Sequence, residues 1–170
     1  MSNVKSKIPK RLLAAFLSLM MVFSMTHFST VVHASTTGHP DAVTISVIDE
    51  NGQAVSPLFT WQDERGNLEY KNGLSYAQYL AELTSYKVAT GFGAVTHFYN
   101  TINELIPASA IKLCTIMDYV AMKLSNTTEP LIHSSNAASI GLFDLSSHLF
   151  DKAAIYKANM DERLFPAASK

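Results

Sequence analysis

Trp61, the one tryptophan of the chain, is followed directly by Gln62, Asp63, Glu64, Arg65 and Gly66. An indole presents a large flat apolar face. The amide, carboxylates and guanidinium behind it supply both hydrogen-bond donors and acceptors. That combination suits a polyhydroxylated ligand, with its C–H face on the ring and its hydroxyls read by the polar groups. The same residue types also fit a strand that ends in a charged surface turn, with Trp61 in the core. Asp63 and Glu64 make a poor acid–base pair, because neighbours on a strand point to opposite faces. On residue types alone the candidate binding groups are Trp61 and the polar side chains behind it, Gln62, Asp63, Glu64 and Arg65.

Other chemistry has less to anchor it. His39, His97, His133 and His148 are scattered without the i, i+4 spacing of a helical metal site, and no HExxH occurs. No GxSxG surrounds Ser56, Ser75 or Ser139, and Gly91-Phe92-Gly93 is too short to cradle phosphates. Cys114 is the single cysteine, which excludes an internal disulfide and a thiolate zinc cluster. It lies in the apolar run Ile111 to Ile116 and reads as a buried, inert thiol. No catalytic, metal or cofactor-binding residue is assigned. Asn126-Thr127-Thr128 is a formal glycosylation sequon.

The elements that must position the Trp61 block follow from periodicity and turn chemistry. Val43 to Ile48 alternates as a strand, Asp49-Glu50-Asn51-Gly52 is a hairpin turn, and Ala54 to Trp61 is the expected return strand, with Pro57 marking an edge or bulge. Gly66 to Gly73 reads as polar turn. Ser75 caps a helix reaching Ser85, with Leu74, Tyr79 and Leu83 on one side. The glycines at 91 and 93 break it, and a second helix spans about Ala94 to Leu105, before Pro107. Ile111 to Cys114 is a short strand. Thr115 caps a helix to about Leu124, with Asp118 in its first turn, where a negative charge suits the helix dipole. Ser134 to Ser139 has the composition of a helix start or a tight crossing, and Phe150 to Met160 is the last helix.

The chain of 170 residues, 48% of them hydrophobic, is long enough for one domain with a core. Four of its 13 basic residues (Lys5, Lys7, Lys10 and Arg11) lie in residues 1–34, which hold no acid; the other nine face all 14 acids, a net of −5. That balance excludes nucleic acid as the main partner. The four bases precede the apolar run Leu12 to Phe23, and Val32-His33-Ala34 offers small residues for cleavage. Residues 1–34 therefore read as a signal peptide, or else an uncleaved anchor, and any membrane contact runs through them. Residues 35–42 read as a linker.

In order along the chain, several blocks resemble the sugar-binding half of FGGY carbohydrate kinases, in the sedoheptulokinase-like branch. Ser56 to Asp63 with Arg65-Gly66 is similar to the family's substrate-side Trp-Gln-Asp block and its following Arg. Ala89 to Thr96 resembles the Thr-Gly loop, Thr115 to Leu124 the Asp-Tyr helix, and Ser135 to Asp144 the Asn-Ala-Ala-Ser segment; Phe165-Pro166 stands where the family has Leu-Pro. The resemblance implies an α/β fold: a partial ribonuclease-H-like (actin-like ATPase) domain over residues 43–166, a mixed sheet flanked by helices, with residues 167–170 as a tail. The chain departs from the family at Thr37 to Val43, where members carry Gly-Gln-Met-His-Gly or an equivalent. It also has the export-like segment where members begin with Asp-x-Gly-Thr-Thr.

The resemblance implies a fragment of an ATP-dependent ketose or heptulose kinase, with Trp61 stacking on the sugar and Gln62, Asp63 and Arg65 binding hydroxyls or holding the loop. ATP and Mg²⁺ belong to the complete enzyme rather than to this chain. The family's catalytic aspartate and nucleotide domain lie beyond residue 170, so the expectation is an inactive fragment, complemented by another kinase fragment. Phosphoryl transfer is mainly positioning and charge stabilisation, and loss of one such group removes on the order of 10²–10³ in rate. The alternatives are an exported, non-catalytic sugar-binding protein and a gene remnant without activity. Location is divided in the same way: the N-terminus implies export or anchoring, the family the cytoplasm. The incomplete sheet would leave exposed edges and marginal stability.

Overall fold

The strand that leads to the Trp61 block is paired on both sides. The computed structural model describes residues 45–169, so the signal or anchor, the linker and the Thr37–Val43 block lie outside the described residues. Strand β1 (Ile45–Ile48) is buried throughout and runs antiparallel to β4 (Lys112–Thr115), with Ile45 opposite Thr115 and Ile48 opposite Lys112. Its other edge meets the return segment only at two bridges, Ile48 with Ala54 and Ile45 with Phe59. The return path therefore carries two extra residues between bridges, a bulge at the place where Pro57 marks an edge or a bulge, and Ala54 to Trp61 pairs with β1 at these two bridges rather than as a continuous strand. The cause is local. Pro57 follows Ser56, whose Oγ accepts from the Val47 N–H at 3.1 Å, so a side chain replaces a ladder bond. The turn itself forms as read: Asp49 Oδ1 accepts from the N–H groups of Asn51 and Gln53, and Gly52 takes φ 66°.

A second hairpin occupies the stretch read as polar turn. β2 (Glu69–Lys71) and β3 (Leu74–Ser75) are antiparallel, joined by Asn72-Gly73 at φ 58° and 76°. Helix α1 (Tyr76–Thr84) starts on a capping box between Ser75 and Gln78 and ends where Ser85 turns left-handed at φ 64°. Its buried face is Tyr76, Ala77, Leu80 and Thr84, with Tyr79 and Leu83 packed at the margin. Helix α2 (Gly93–Ile102) is buried from Gly93 to Phe98. Helix α3 (Ile116–Leu124) is capped by Thr115, whose Oγ1 accepts from the Asp118 N–H.

The remaining elements are short. β5 (Leu131–His133) leads into α4 (Ser134–Ile140); β6 (Phe143–Asp144) pairs with β7 (Leu149–Phe150); α5 covers Lys152–Lys157, about half the length expected of the last helix. Ala167–Ser169, read as tail, is strand β8, parallel to β5. The described strands thus form four two-stranded sheets, three antiparallel and one parallel, interleaved with helices in an α/β arrangement. One core joins β1, α1, α2, β4, α4 and α5 through Ile45, Leu80, Phe98, Leu113, Ile140 and Ile155. Ile48, Cys114 and Met122 form a smaller cluster under α3. Among the described residues, no helix is long and apolar enough to cross a membrane.

Candidate functional site

Phe59 is held to Ile45 by two backbone hydrogen bonds of 2.9 and 2.8 Å, and the chain then turns outward. The Asp63 N–H returns to the Thr60 carbonyl at 3.0 Å, so Trp61 and Gln62 sit at the tip of this turn. Trp61 is 45% exposed, which places its ring at the surface and not in the core. Gln62 is exposed beside it. Asp63 faces inward and caps the short 3₁₀ helix Glu64–Asn67, its Oδ1 accepting from the Arg65 backbone N–H at 3.0 Å and from Arg65 Nε at 2.7 Å.

Arg65 is turned into the scaffold, its side chain 22% exposed. Its guanidinium lies 4.2 Å from the Phe59 ring centroid and 5.1 Å from that of Tyr99, and it donates to Asn100 Oδ1 on α2. Behind the turn, Thr90 Oγ1 donates to the Asp63 carbonyl at 3.1 Å. Two glycines allow this closeness. A Cβ on Gly91, which has φ 87°, would stand 2.2 Å from the Trp61 carbonyl oxygen, and a Cβ on Gly66 would stand 2.7 Å from Thr90 Oγ1. The four sequence-selected residues thus divide. Trp61 and Gln62 face outward, whereas Asp63 and Arg65 are tied to each other and to the scaffold. Of the two roles open to Asp63 and Arg65, reading hydroxyls or holding the loop, the contacts they make are those of holding the loop. Asn100 and Tyr99 carried no local signal in the sequence, since their part depends on α2 crossing behind the turn.

Sedoheptulokinase from Mus musculus is 34% identical to this chain over 115 residues, which is 67% of the chain and 23% of that protein. Sedoheptulokinase from Homo sapiens is 32% identical over 117 residues, again 67% of this chain and 23% of that one. The chain therefore spans about a quarter of the length of the curated relatives it matches. Among solved structures, gluconate kinase from Lactobacillus acidophilus superposes with a TM-score of 0.60 at 16% identity, over 75% of this chain and 26% of that one. Ligand-bound xylulose kinase from the same organism gives 0.59 at 16% identity, with the same coverage. The chain is homologous to part of an FGGY carbohydrate kinase. No protein-family model matches it. The fold shared with these FGGY kinases is that of the actin-like ATPases.

The FGGY-like blocks are spatially consistent. The Trp-Gln-Asp block and the Thr-Gly loop, separated by more than twenty residues, lie against each other through Gly66, Thr90 and Gly91. In the Asp-Tyr helix, Asp118 is buried, and its Oδ2 accepts from Thr115 Oγ1 at 2.5 Å. Burial pushes the Asp118 carboxyl above its ordinary pKa, opposed by the two hydrogen bonds with Thr115. Neighbouring Cys114 is buried, and desolvation pushes its thiol up to about 12, as suits an inert side chain. In the Asn-Ala-Ala-Ser segment, Asn136 Nδ2 reaches Met117 Sδ of α3 at 3.9 Å, tying two blocks together. His97 is the unexpected residue. It is fully buried among Ser46, Ser56 and Asn100, and neither ring nitrogen has a hydrogen-bond partner.

Proposed function

We propose that this chain is the sugar-side portion of an ATP-dependent ketose or heptulose kinase, and that the Trp61 turn is its sugar platform. The observation that carries the reading is the exposed indole at the tip of a turn whose base is fixed by Asp63, Arg65 and Thr90. A ring held in place at the surface loses little freedom when a sugar stacks on it, and Gln62 adds an amide beside it. The homology to sedoheptulokinases supports a ketose or heptulose as the sugar. ATP and Mg²⁺ belong, in this reading, to the complete kinase, of which the chain matches about a quarter. In this reading the described residues bind the sugar and supply no phosphoryl-transfer group.

Calorimetric titration of the whole chain with sedoheptulose and xylulose tests the platform. Heat of binding is expected, and it should vanish in Trp61→Ala. Absence of heat with every ketose tried would remove the reading. Incubation with ATP and Mg²⁺ should yield no sugar phosphate; turnover would show the catalytic groups to be present. The four early bases followed by Leu12 to Phe23 favour a second reading, an exported sugar-binding protein. Sequencing the N-terminus of the expressed protein separates the two, since export predicts a mature chain beginning at Ser35.

A further inference from the structure

We propose that Asn100 is the positioning residue of the Trp61 platform, acting through Arg65. Trp61 lies between a backbone bridge at Phe59 and a cap at Asp63, and a turn of that kind moves freely unless its base is fixed. Arg65 is one of the groups that fix it. One face of its guanidinium covers Phe59, on the entry side of the turn, and its Nε holds Asp63, on the exit side. The guanidinium can serve both only if its own orientation is set, and that is the task of Asn100, whose Oδ1 accepts from Nη1. Asn100 is 7% exposed and sits on α2, where Val95 and Phe98 are locked into the core, so it transmits the position of a rigid helix to a surface turn. Tyr99 supports the same guanidinium from 5.1 Å. A second tether runs independently from Thr90 Oγ1 to the Asp63 carbonyl.

The consequence for sugar binding rests on the proposed role of Trp61; the positioning itself does not. Trp61 is the sole tryptophan, so its fluorescence reports on this turn alone in the full-length chain. In Asn100→Ala, acrylamide quenching should rise and anisotropy fall, because losing a hydrogen bond to a charged group favours turn opening by about tenfold. Ketose affinity should weaken by a similar factor. Asn100→Asp keeps an oxygen facing Arg65 and should restore both signals, a rescue that a merely structural role would not give. Asn100→Leu, which removes the acceptor at similar volume, should loosen Trp61 in the same direction and serves if Asn100→Ala does not fold. The proposal is overturned if Trp61 quenching is unchanged in folded variants, or if Asn100→Asp behaves like Asn100→Ala. A loosened Trp61 in a chain that binds no ketose would uphold the positioning role and remove the sugar reading, so the two failures are separable.

Discussion

Arg65 shows why residue type alone underdetermines role. A guanidinium next to an indole can read a ligand hydroxyl, but here its donors go to Asp63 and Asn100 and its faces to Phe59 and Tyr99. Lysine cannot reproduce that planar fork. Arg65→Lys is expected to lower unfolding stability by roughly 1.5–3 kcal/mol, the worth of hydrogen bonds to a charged group, as read from urea melts. His97 gives a prediction in pH. Burial lowers its pKa from 6.5 to about 4, with the Asp161 carboxylate offsetting part of the effect. The folded state therefore binds fewer protons than the unfolded chain across that window, and acid favours unfolding. Stability should be intact above about pH 6.5 and decline by roughly 3 kcal/mol on descent to about pH 4, from this residue alone. His97→Leu should flatten that limb of the pH–stability profile; an unchanged slope would show that His97 does not contribute.

Among the elements, those specified by local chemistry were legible. Thr115 and Ser75 start their helices where a cap with the right following residue stands, and Asn51-Gly52 makes its turn. Thr115→Ala removes the cap from α3 and leaves the buried Asp118 carboxyl without its hydroxyl donor. We expect a loss of about 1–2 kcal/mol from the cap, and a larger total, in chemical denaturation. The β2–β3 hairpin was signalled by Asn72-Gly73, yet its flanks of three and two residues are too short to carry a strand pattern. The Ala54 to Trp61 return was legible as far as Pro57, which marked an edge or a bulge; the Ser56 side chain takes the place of a ladder bond there and leaves two isolated bridges.

At the scale of the whole molecule, strands come in pairs and not in one wide sheet. Two-stranded sheets are weakly stable alone, so among the described residues the fold depends on the large core beneath β1, α1 and α2 and on the smaller cluster under α3. One helix face is also left apolar: on α3, Met117 is 48%, Val120 49% and Leu124 84% exposed, a stripe at helical spacing. The full chain is therefore expected to melt at low temperature and to associate as concentration rises. Leu124→Glu should reduce association, measured by sedimentation, without lowering the melting temperature. A high, concentration-independent melting transition would contradict both expectations.

The sequence by itself determined the capped helices, the first turn, the inert Cys114 and the kinship with FGGY carbohydrate kinases, because caps, turns and ordered motifs are encoded within a few residues of one another. Tertiary structure alone decided which members of the Trp61 block face outward. That choice depends on α2 bringing Asn100 and Tyr99 behind Arg65, and on Thr90 and Gly91 approaching from a separate loop. The same holds for His97, whose burial without partners follows from the closing of β1 and the Phe59 segment over α2. Contacts across tens of residues leave no periodic trace in the chain, so spacing could nominate Asp63 and Arg65 but could not show that they face inward.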